Sequence, residues 1–146
     1  MLHAAQFTCT FCAALFAGAA LYINVAEHPA RMGLETGVAA KQWASSYKRA
    51  TWLQAPLALL GFAAGVTAWF LGASIVWLVA AVLIGAVVPF TFIAVMRTNN
   101  ELLAAGRDLA SPETRVLLQK WGKLHAVRTA LSLVATVLCM WLLVRN

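Results

Sequence analysis

Four long apolar stretches alternate with segments rich in charge along this chain. They lie near residues 5–25, 52–71, 73–95 and 124–143. Each reaches the length of about 20 residues that a helix needs to cross the hydrocarbon core of a bilayer. The pattern predicts an all-α fold, a four-transmembrane-helix bundle, and we expect residues 1–146 to form a single four-helix membrane domain.

Composition supports a lipid environment. The chain is 62% hydrophobic and 11% charged, whereas a soluble domain carries about 25% charged residues. The lipid bilayer is therefore the first expected partner. The opening stretch resembles the apolar part of a signal peptide, but no Lys or Arg precedes it, so we interpret it as a true span.

Basic residues concentrate in two segments, residues 26–51 and 96–123. The positive-inside rule places both segments in the cytoplasm and both termini outside, in a multi-pass protein of the cell inner membrane. This asymmetry, together with attraction to anionic headgroups, accounts for the net charge of +6. The charge therefore predicts no nucleic-acid partner.

Two features of the spans predict local geometry. Gly61 and Gly65 are four residues apart, a spacing that lets helices approach closely, and we expect them to pack within the same chain. Pro89 removes a backbone donor and should distort the third span, with Thr91 satisfying freed backbone groups.

The segment after the third span carries helix-start signals. Thr98 and Glu101 have the spacing of a capping box, which predicts a short interfacial helix ended by Gly106. Ser111 is placed to cap the next helix, with Pro112 at its first position. We expect that helix to continue into the fourth span.

Polar side chains recur at the cytoplasmic end of every predicted span. Because a charge in hydrocarbon costs about 2.5 to 3.5 kcal/mol, we expect them to line one polar, cytoplasm-facing pocket. Glu27 is expected to pair with Arg128, and Asn99 with a histidine. For Arg128, snorkelling to headgroups is the alternative. The residues are Asn24, Glu27 and His28 on the first helix, Tyr47, Thr51 and Gln54 on the second, Thr98 and Asn99 on the third, and Trp121, His125 and Arg128 on the fourth.

Ligands for a metal are few. Pro29 should move His28 out of helical geometry and turn its ring into the pocket. His28, His125 and Glu27 have the residue types of a facial triad, yet no HxxxH or ExxH spacing occurs on one helix. We therefore predict no metal and no other cofactor.

Cysteines offer a different chemistry. Cys9 and Cys12 form a CxxC in the first span, and Cys139 lies at a similar depth in the fourth. Such a pair suggests a quinone-linked thiol oxidoreductase that uses Cys9 and Cys12. No neighbouring positive charge is present to stabilise a thiolate, so this hypothesis ranks below the following one.

The stretches AALYINVAEHPAR, SYKRATWLQAPLALLG, MRTNNELL and LLQKWGKLHAVRTALSL occur in this order along nearly the whole chain. Their succession resembles the anthrone oxygenase-like family of small four-helix integral membrane proteins, whose bacterial members are mostly of unknown function. Arg97 stands where a proline is often found in that family. The recurring positions of the family match Glu27, His28, Pro29, Gln54, Asn99, Trp121, His125 and Arg128.

For enzymatic members, the resemblance implies oxidation of a tricyclic phenolic anthrone to an anthraquinone by molecular oxygen, without metal or flavin. The leading hypothesis is thus a cofactor-independent oxygenase, an oxidoreductase acting on a planar phenolic or hydrophobic aromatic small molecule. His125 would be the base, with Arg128 and Asn99 stabilising an oxyanion. Trp121 would stack on the substrate, and Glu27 would orient a histidine. The predicted catalytic residues are His125, Glu27, His28 and Arg128, and the predicted substrate-binding residues are Asn99, Trp121, Gln54, Tyr47 and Asn24.

Two further alternatives stay open. The chain is either an enzyme or a non-catalytic membrane protein, that is, a small-ligand binder or an accessory subunit. It acts either as a single copy or as a homo-oligomer. The sequence assigns no particular substrate.

Overall fold

The computed structural model describes residues 1–145, and within them it contains helices and no strand. Consecutive helices pack against one another and the fourth packs against the first, which closes the bundle. All four are long and apolar enough to cross a membrane. The predicted fold class is confirmed. The helices are α1 (Leu2–Met32), α2 (Thr36–Phe70), α3 (Ile75–Leu102) and α4 (Pro112–Arg145).

These helices extend well past the predicted spans. The segment 26–51, expected to be a loop, is helical except around residues 33–35. α2 alone has 35 residues, which is roughly 52 Å at 1.5 Å per residue, against a hydrocarbon core of about 30 Å. The polar end of the bundle is therefore built on continuous helix, which holds its side chains more rigidly than a loop would.

The connections are fixed by backbone contacts. Arg115 of α4 donates to the Leu34 carbonyl at 2.8 Å, which ties the α1–α2 turn to the start of α4. The Thr114 amide donates to Ser111 Oγ at 3.2 Å. Ser111 thus caps α4 as predicted, and α4 runs unbroken from Pro112 through the predicted fourth span.

The predicted capping box is wrong. Thr98 lies inside α3, is fully buried and makes no side-chain cap. α3 continues through the segment to Leu102, so the expected separate helix is the last part of α3. The turn signal at Gly106 is real, because its φ is +78°.

Two five-residue π-helical turns interrupt the long helices, Ile23–Glu27 in α1 and Thr91–Val95 in α3. Such wide turns occur frequently at functional sites. The second follows Pro89, which cannot donate a backbone hydrogen bond. Thr91 Oγ1 donates to the Val87 carbonyl at 2.6 Å, so Thr91 does satisfy a backbone acceptor beside the distortion.

Gly61 and Gly65 face neighbouring helices of the same chain, as predicted. A Cβ placed on Gly65 would lie 2.7 Å from Ala81 Cβ of α3 and 2.9 Å from Cys9 Sγ of α1. A Cβ on Gly61 would lie 3.3 Å from Cys12 Cβ. The absence of a side chain therefore sets the separation of α1, α2 and α3.

Gly65→Ala is expected to destabilise the bundle, because overpacking a tight core costs about 1–3 kcal/mol. Gly18→Ala is the matched control, since a Cβ there meets nothing within 4 Å. Thermal unfolding in detergent can be followed by maleimide labelling of the buried cysteines, Cys9, Cys12 and Cys139. Equal labelling midpoints for the two variants would show that the glycine contact does not limit packing.

Candidate functional site

A buried histidine anchors the polar end of the bundle. His125 is 1% exposed, and its Nδ1 lies 2.8 Å from Asn24 Oδ1. Asn24 Nδ2 donates to the Gly122 carbonyl at 3.2 Å, and Thr129 donates its hydroxyl to Asn24 Oδ1 at 2.5 Å. Because a carbonyl can only accept, the Gly122 contact fixes which way the Asn24 amide points.

This orientation determines the histidine tautomer. Asn24 Oδ1 is an acceptor, so the proton of neutral His125 sits on Nδ1. Nε2 then carries the lone pair, and it makes no hydrogen bond among the described residues. His125 is therefore arranged to accept a proton at Nε2.

Glu27 contacts α2, and its predicted pairing with Arg128 is wrong. It accepts hydrogen bonds from Arg31 at 2.5 Å, from Gln42 at 3.2 Å and from Ser46. The cause is the π turn Ile23–Glu27, which widens the helix and changes the directions that α-helical spacing predicts. Asn24 consequently faces α4 while Glu27 faces α2.

Arg31 was missed by the sequence interpretation although it is central here. It is 2% exposed, bridges Glu27 and Gln42, and lies 3.5 Å from His28 Nδ1 and 5.8 Å from the centroid of the Trp121 ring. The available signal was its position four residues after Glu27, the spacing of a helical ion pair. These contacts join α1, α2 and α4 at the polar end of the bundle.

His28 remains helical, with φ −68° and ψ −44°, so the predicted departure from helical geometry is wrong. The preceding π turn gives the Pro29 ring room that a regular helix lacks. Its imidazole does turn into the bundle, as predicted. It packs directly on Gly122, where any Cβ would overlap the ring, and lies 5.6 Å from the ring of Trp121.

Aromatic rings connect these groups. Trp121 stacks on His125 at 4.9 Å between centroids and meets Trp43 edge-on at 5.9 Å. Trp43 stacks on Tyr47 at 5.3 Å. Trp43 is 1% exposed, and it was missed because its segment was interpreted as a loop. A tryptophan in a predicted loop is itself a signal of packing, because this side chain is on average highly buried.

Arg128 turns into the bundle. Its guanidinium donates to Gln54 Oε1 at 2.9 Å and lies 5.5 Å from the centroid of the Phe16 ring. These contacts exclude snorkelling to a headgroup as the role of this side chain in this conformation. Gln54, itself 2% exposed, therefore takes the place at Arg128 that was expected for Glu27.

The predicted polar pocket is present as a narrow cleft with about 10 Å³ of free space, enough for roughly one water molecule. The cleft lies among Tyr47, His125 and both Arg31 and Arg128. Four donor atoms on residues that line the cleft are buried and have no hydrogen-bond partner among residues 1–145. They are Trp43 Nε1, Trp121 Nε1, Gln54 Nε2 and Arg128 Nε.

Such a donor set suits one kind of ligand. An unpartnered buried donor costs about 1–3 kcal/mol, so four such donors on residues that line one cleft favour an electron-rich acceptor there. Two arginines add positive charge to the same space. The arrangement can hold an oxygen atom that carries, or is acquiring, negative charge.

Asn99 lies apart from this cleft. It is fully buried, and neither Nδ2 nor Oδ1 has a partner among the described residues. It shares the α3 face of Val95 and Leu102, which pack with Trp43 and Trp121 in one core cluster. The expected pairing of Asn99 with a histidine is wrong, because Asn24 takes that place.

The cysteines lie toward the other end of the bundle. Cys9 Sγ is 3.7 Å from Cys139 Sγ, and both side chains pack with Trp77 in an apolar cluster. This contact joins α1 to α4 and does not involve Cys12, on which the thiol oxidoreductase hypothesis depended. Within residues 1–145, no group of three or more His, Cys, Asp or Glu side chains is placed to hold a metal ion.

The fold and site define a class of protein, a four-helix bundle with a buried histidine and arginine at one end. The anthrone oxygenase family profile matches residues 43–138. Anthrone oxygenase ptaC of Pestalotiopsis fici is 33% identical over 132 residues, covering 75% of this chain and 90% of that relative. This chain belongs to the anthrone oxygenase family, as its sequence motifs predicted.

A second relative is anthrone oxygenase tpcL of Aspergillus fumigatus, which is 36% identical over 83 residues. The match covers 55% of this chain and 52% of tpcL, so this chain spans about half the length of that relative. No solved structure matches the chain. The family match includes Gln54, Trp121, His125 and Arg128, whereas Asn24, Glu27, His28 and Arg31 precede it.

The tautomer of His125 is directly measurable. In protein labelled with ¹⁵N-histidine, we expect Nδ1 of His125 to give a protonated signal and Nε2 an unprotonated one. Asn24→Ala should mix the tautomers and destabilise the fold by about 1–3 kcal/mol, because His125 and Thr129 lose a buried acceptor. Asn100→Ala, at an exposed position, is the control. A dominant Nε2–H signal in the unmodified protein would contradict this assignment.

Proposed function

We propose that this chain is a cofactor-independent oxygenase, which oxidises a planar phenolic compound of the anthrone type at an activated carbon. The observation that supports it best is the cleft itself. There, a histidine with a free Nε2 lies beside four buried donors that lack partners. Membership of the anthrone oxygenase family supports the same chemistry.

Proton removal is the first step. His125 Nε2 accepts a proton from the activated C–H group, a contribution that is typically about 10²–10⁴-fold in rate. Asn24 Oδ1 holds the Nδ1–H and stabilises the imidazolium that forms. Trp121, already stacked on His125, offers its ring to a flat substrate.

The electron pair left on carbon delocalises onto the carbonyl oxygen of the substrate, which becomes an oxyanion. Gln54 Nε2 and Arg128 Nε donate to that oxygen, and the Trp43 and Trp121 indoles extend the donor set. Because these donors are buried and held by the packing of the bundle, they need little reorganisation as charge develops. Asn99, with its unpaired amide, supports the wall behind the tryptophans.

The enolate carbon then reduces molecular oxygen. One electron passes to dioxygen, and the resulting radical pair joins through a new C–O bond to give a peroxide anion. His125 returns its proton to that anion, and loss of water leaves a carbonyl group. The balance is one CH₂ group and one O₂ consumed, and one C=O group and one H₂O formed.

In this proposal, Glu27 and His28 hold other side chains of the site in place and do not react with the substrate. Glu27 holds Arg31, and Arg31 keeps His28 against Gly122 and Trp121. The bundle is proposed to form a single domain in the inner membrane, with its polar end cytoplasmic, because basic residues concentrate there. A hydrophobic aromatic substrate would dissolve in the same bilayer.

His125→Gln is expected to lower kcat/KM by at least about 100-fold, because the side chain can no longer accept the proton. The assay uses purified protein in lipid nanodiscs with a dihydroxyanthrone, following oxygen uptake and the visible absorbance of the anthraquinone product. His3→Gln, an exposed position near the N-terminus, should retain full activity. Folded unmodified protein that consumes no oxygen would instead favour a non-catalytic ligand-binding role.

Arg128→Gln should lower kcat by roughly 10²–10³-fold, the usual effect of losing one donor to a developing oxyanion. Arg97→Gln is the matched control, because the Arg97 side chain is 82% exposed and pairs only with Glu101 on the surface. The same nanodisc assay separates kcat from KM. A change in KM alone would assign Arg128 to ground-state binding.

A further inference from the structure

A second cavity lies beside the cleft, between α2 and the π turn of α3. It has about 110 Å³ of free space, and we call it the lateral chamber. Tyr47, Thr51, Gln54 and Arg128 line both spaces, so the two are contiguous. The walls of the lateral chamber include Phe16, Ala55, Ala58, Val88, Phe92 and Met96.

Polarity in the lateral chamber is concentrated at one end. Most of its wall is apolar, whereas Gln54 and Arg128 present unpartnered donors where it joins the cleft. Gln54 is 2% exposed, so its free Nε2 is well sheltered from solvent. This distribution fits a flat apolar body whose oxygen lies at the polar end.

Exposed apolar side chains are next in sequence to residues that line the lateral chamber. Trp52 is 84% exposed and Leu53 55% on α2, and Phe92 is 66% exposed and Ile93 82% on α3. Such a surface suits contact with lipid far better than contact with water. At the polar end, in contrast, the cleft has only about 10 Å³ of free space. Ser46, which lines both the cleft and a polar groove on α2, donates to Glu27 there.

We infer that the substrate reaches the cleft from the bilayer, passing between α2 and the π turn of α3 into the lateral chamber. This rests on the proposed function for the class of ligand, a planar aromatic compound with an acceptor oxygen. Its oxygen binds Gln54 Nε2 and Arg128 Nε, where the lateral chamber joins the cleft that His125 lines. No polar-end opening is needed.

The lateral chamber must widen for a three-ring ligand. Its 110 Å³ is below the range of about 300–1,000 Å³ typical of ligand pockets. Phe92 and Met96 belong to or adjoin the π turn Thr91–Val95, where the α-helical hydrogen bonding is interrupted. Outward movement of these two side chains enlarges the space without separating α2 from α1.

Binding can be tested without turnover, using 1,8-dihydroxyanthraquinone as an already oxidised probe. The whole protein is placed in phosphatidylcholine nanodiscs, and association is followed by tryptophan quenching relative to empty nanodiscs. Ala55→Phe, which adds a large ring to the wall of the lateral chamber, should slow association at least tenfold. Ala63→Phe, exposed on the same helix but away from the chamber, should not. Phe92→Ala should accelerate association.

Two variants separate binding from chemistry. His125→Gln should bind the probe as the unmodified protein does while failing to consume oxygen. Gln54→Leu should weaken equilibrium binding about fivefold to tenfold, the value of one buried hydrogen bond. Cysteine burial in each variant reports whether it is folded.

Other results would overturn the inference. Ser45 and Arg49 line a polar groove on α2, which adjoins the cleft at Ser46 and Ala50. If Ser45→Phe slowed association while Ala55→Phe and Phe92→Ala did not change it, the ligand would arrive from water. An absence of saturable binding would remove the lateral chamber as a site for this ligand class. Oxygen uptake with a dihydroxyanthrone would still decide the proposed function by itself.

Discussion

The site depends on one amide, that of Asn24, which is held between three groups of α4. Its nitrogen donates to the Gly122 carbonyl, and its oxygen accepts from His125 and Thr129. The three contacts fix the packing of α1 on α4 and the protonation of the imidazole together. A side chain able only to donate or only to accept could not satisfy both sides. Helix packing and tautomer are thus a single structural feature.

The donors left without partners are informative because the rest of the polar end is so well satisfied. Glu27 accepts hydrogen bonds from three neighbours. Arg31, in the same network, is buried, and none of its nitrogen atoms is among the described buried atoms that lack a partner. Of the described buried donors that lack an acceptor, both indole N–H groups, Gln54 Nε2 and Arg128 Nε belong to residues that line the cleft, whereas Asn99 Nδ2 lies apart from it. In a medium of low polarity such donors interact strongly with any acceptor that reaches them. The cleft is therefore suited to bind a ligand oxygen.

Sequence periodicity was sufficient for the fold and for part of the candidate site, but it did not predict Arg31 or Trp43, nor the pairings of the polar side chains. Apolar length gave four helices, and polar spacing correctly placed Trp121, His125 and Arg128 on one face of α4, which is regular. It failed for Glu27 because the π turn in α1 alters the direction of each following side chain. Trp43 was missed because a polar helix surface resembles a loop in composition. Side-chain partners depend on such local rotations, which periodicity does not encode.

The proposed hydrophobic substrate would explain why the cleft joins an apolar lateral chamber. A hydrophobic carbon acid partitions into the bilayer, whereas the oxyanion made from it is stabilised only where donors are concentrated and water is scarce. The cleft fits both conditions, since Gln54 and Arg128 also line the apolar lateral chamber, and the cleft itself has room for roughly one water molecule. Opening the polar end would hydrate the donors and weaken every one of them. In the proposed mechanism, sheltered donors and an apolar lateral approach are therefore two requirements of the same electrostatics.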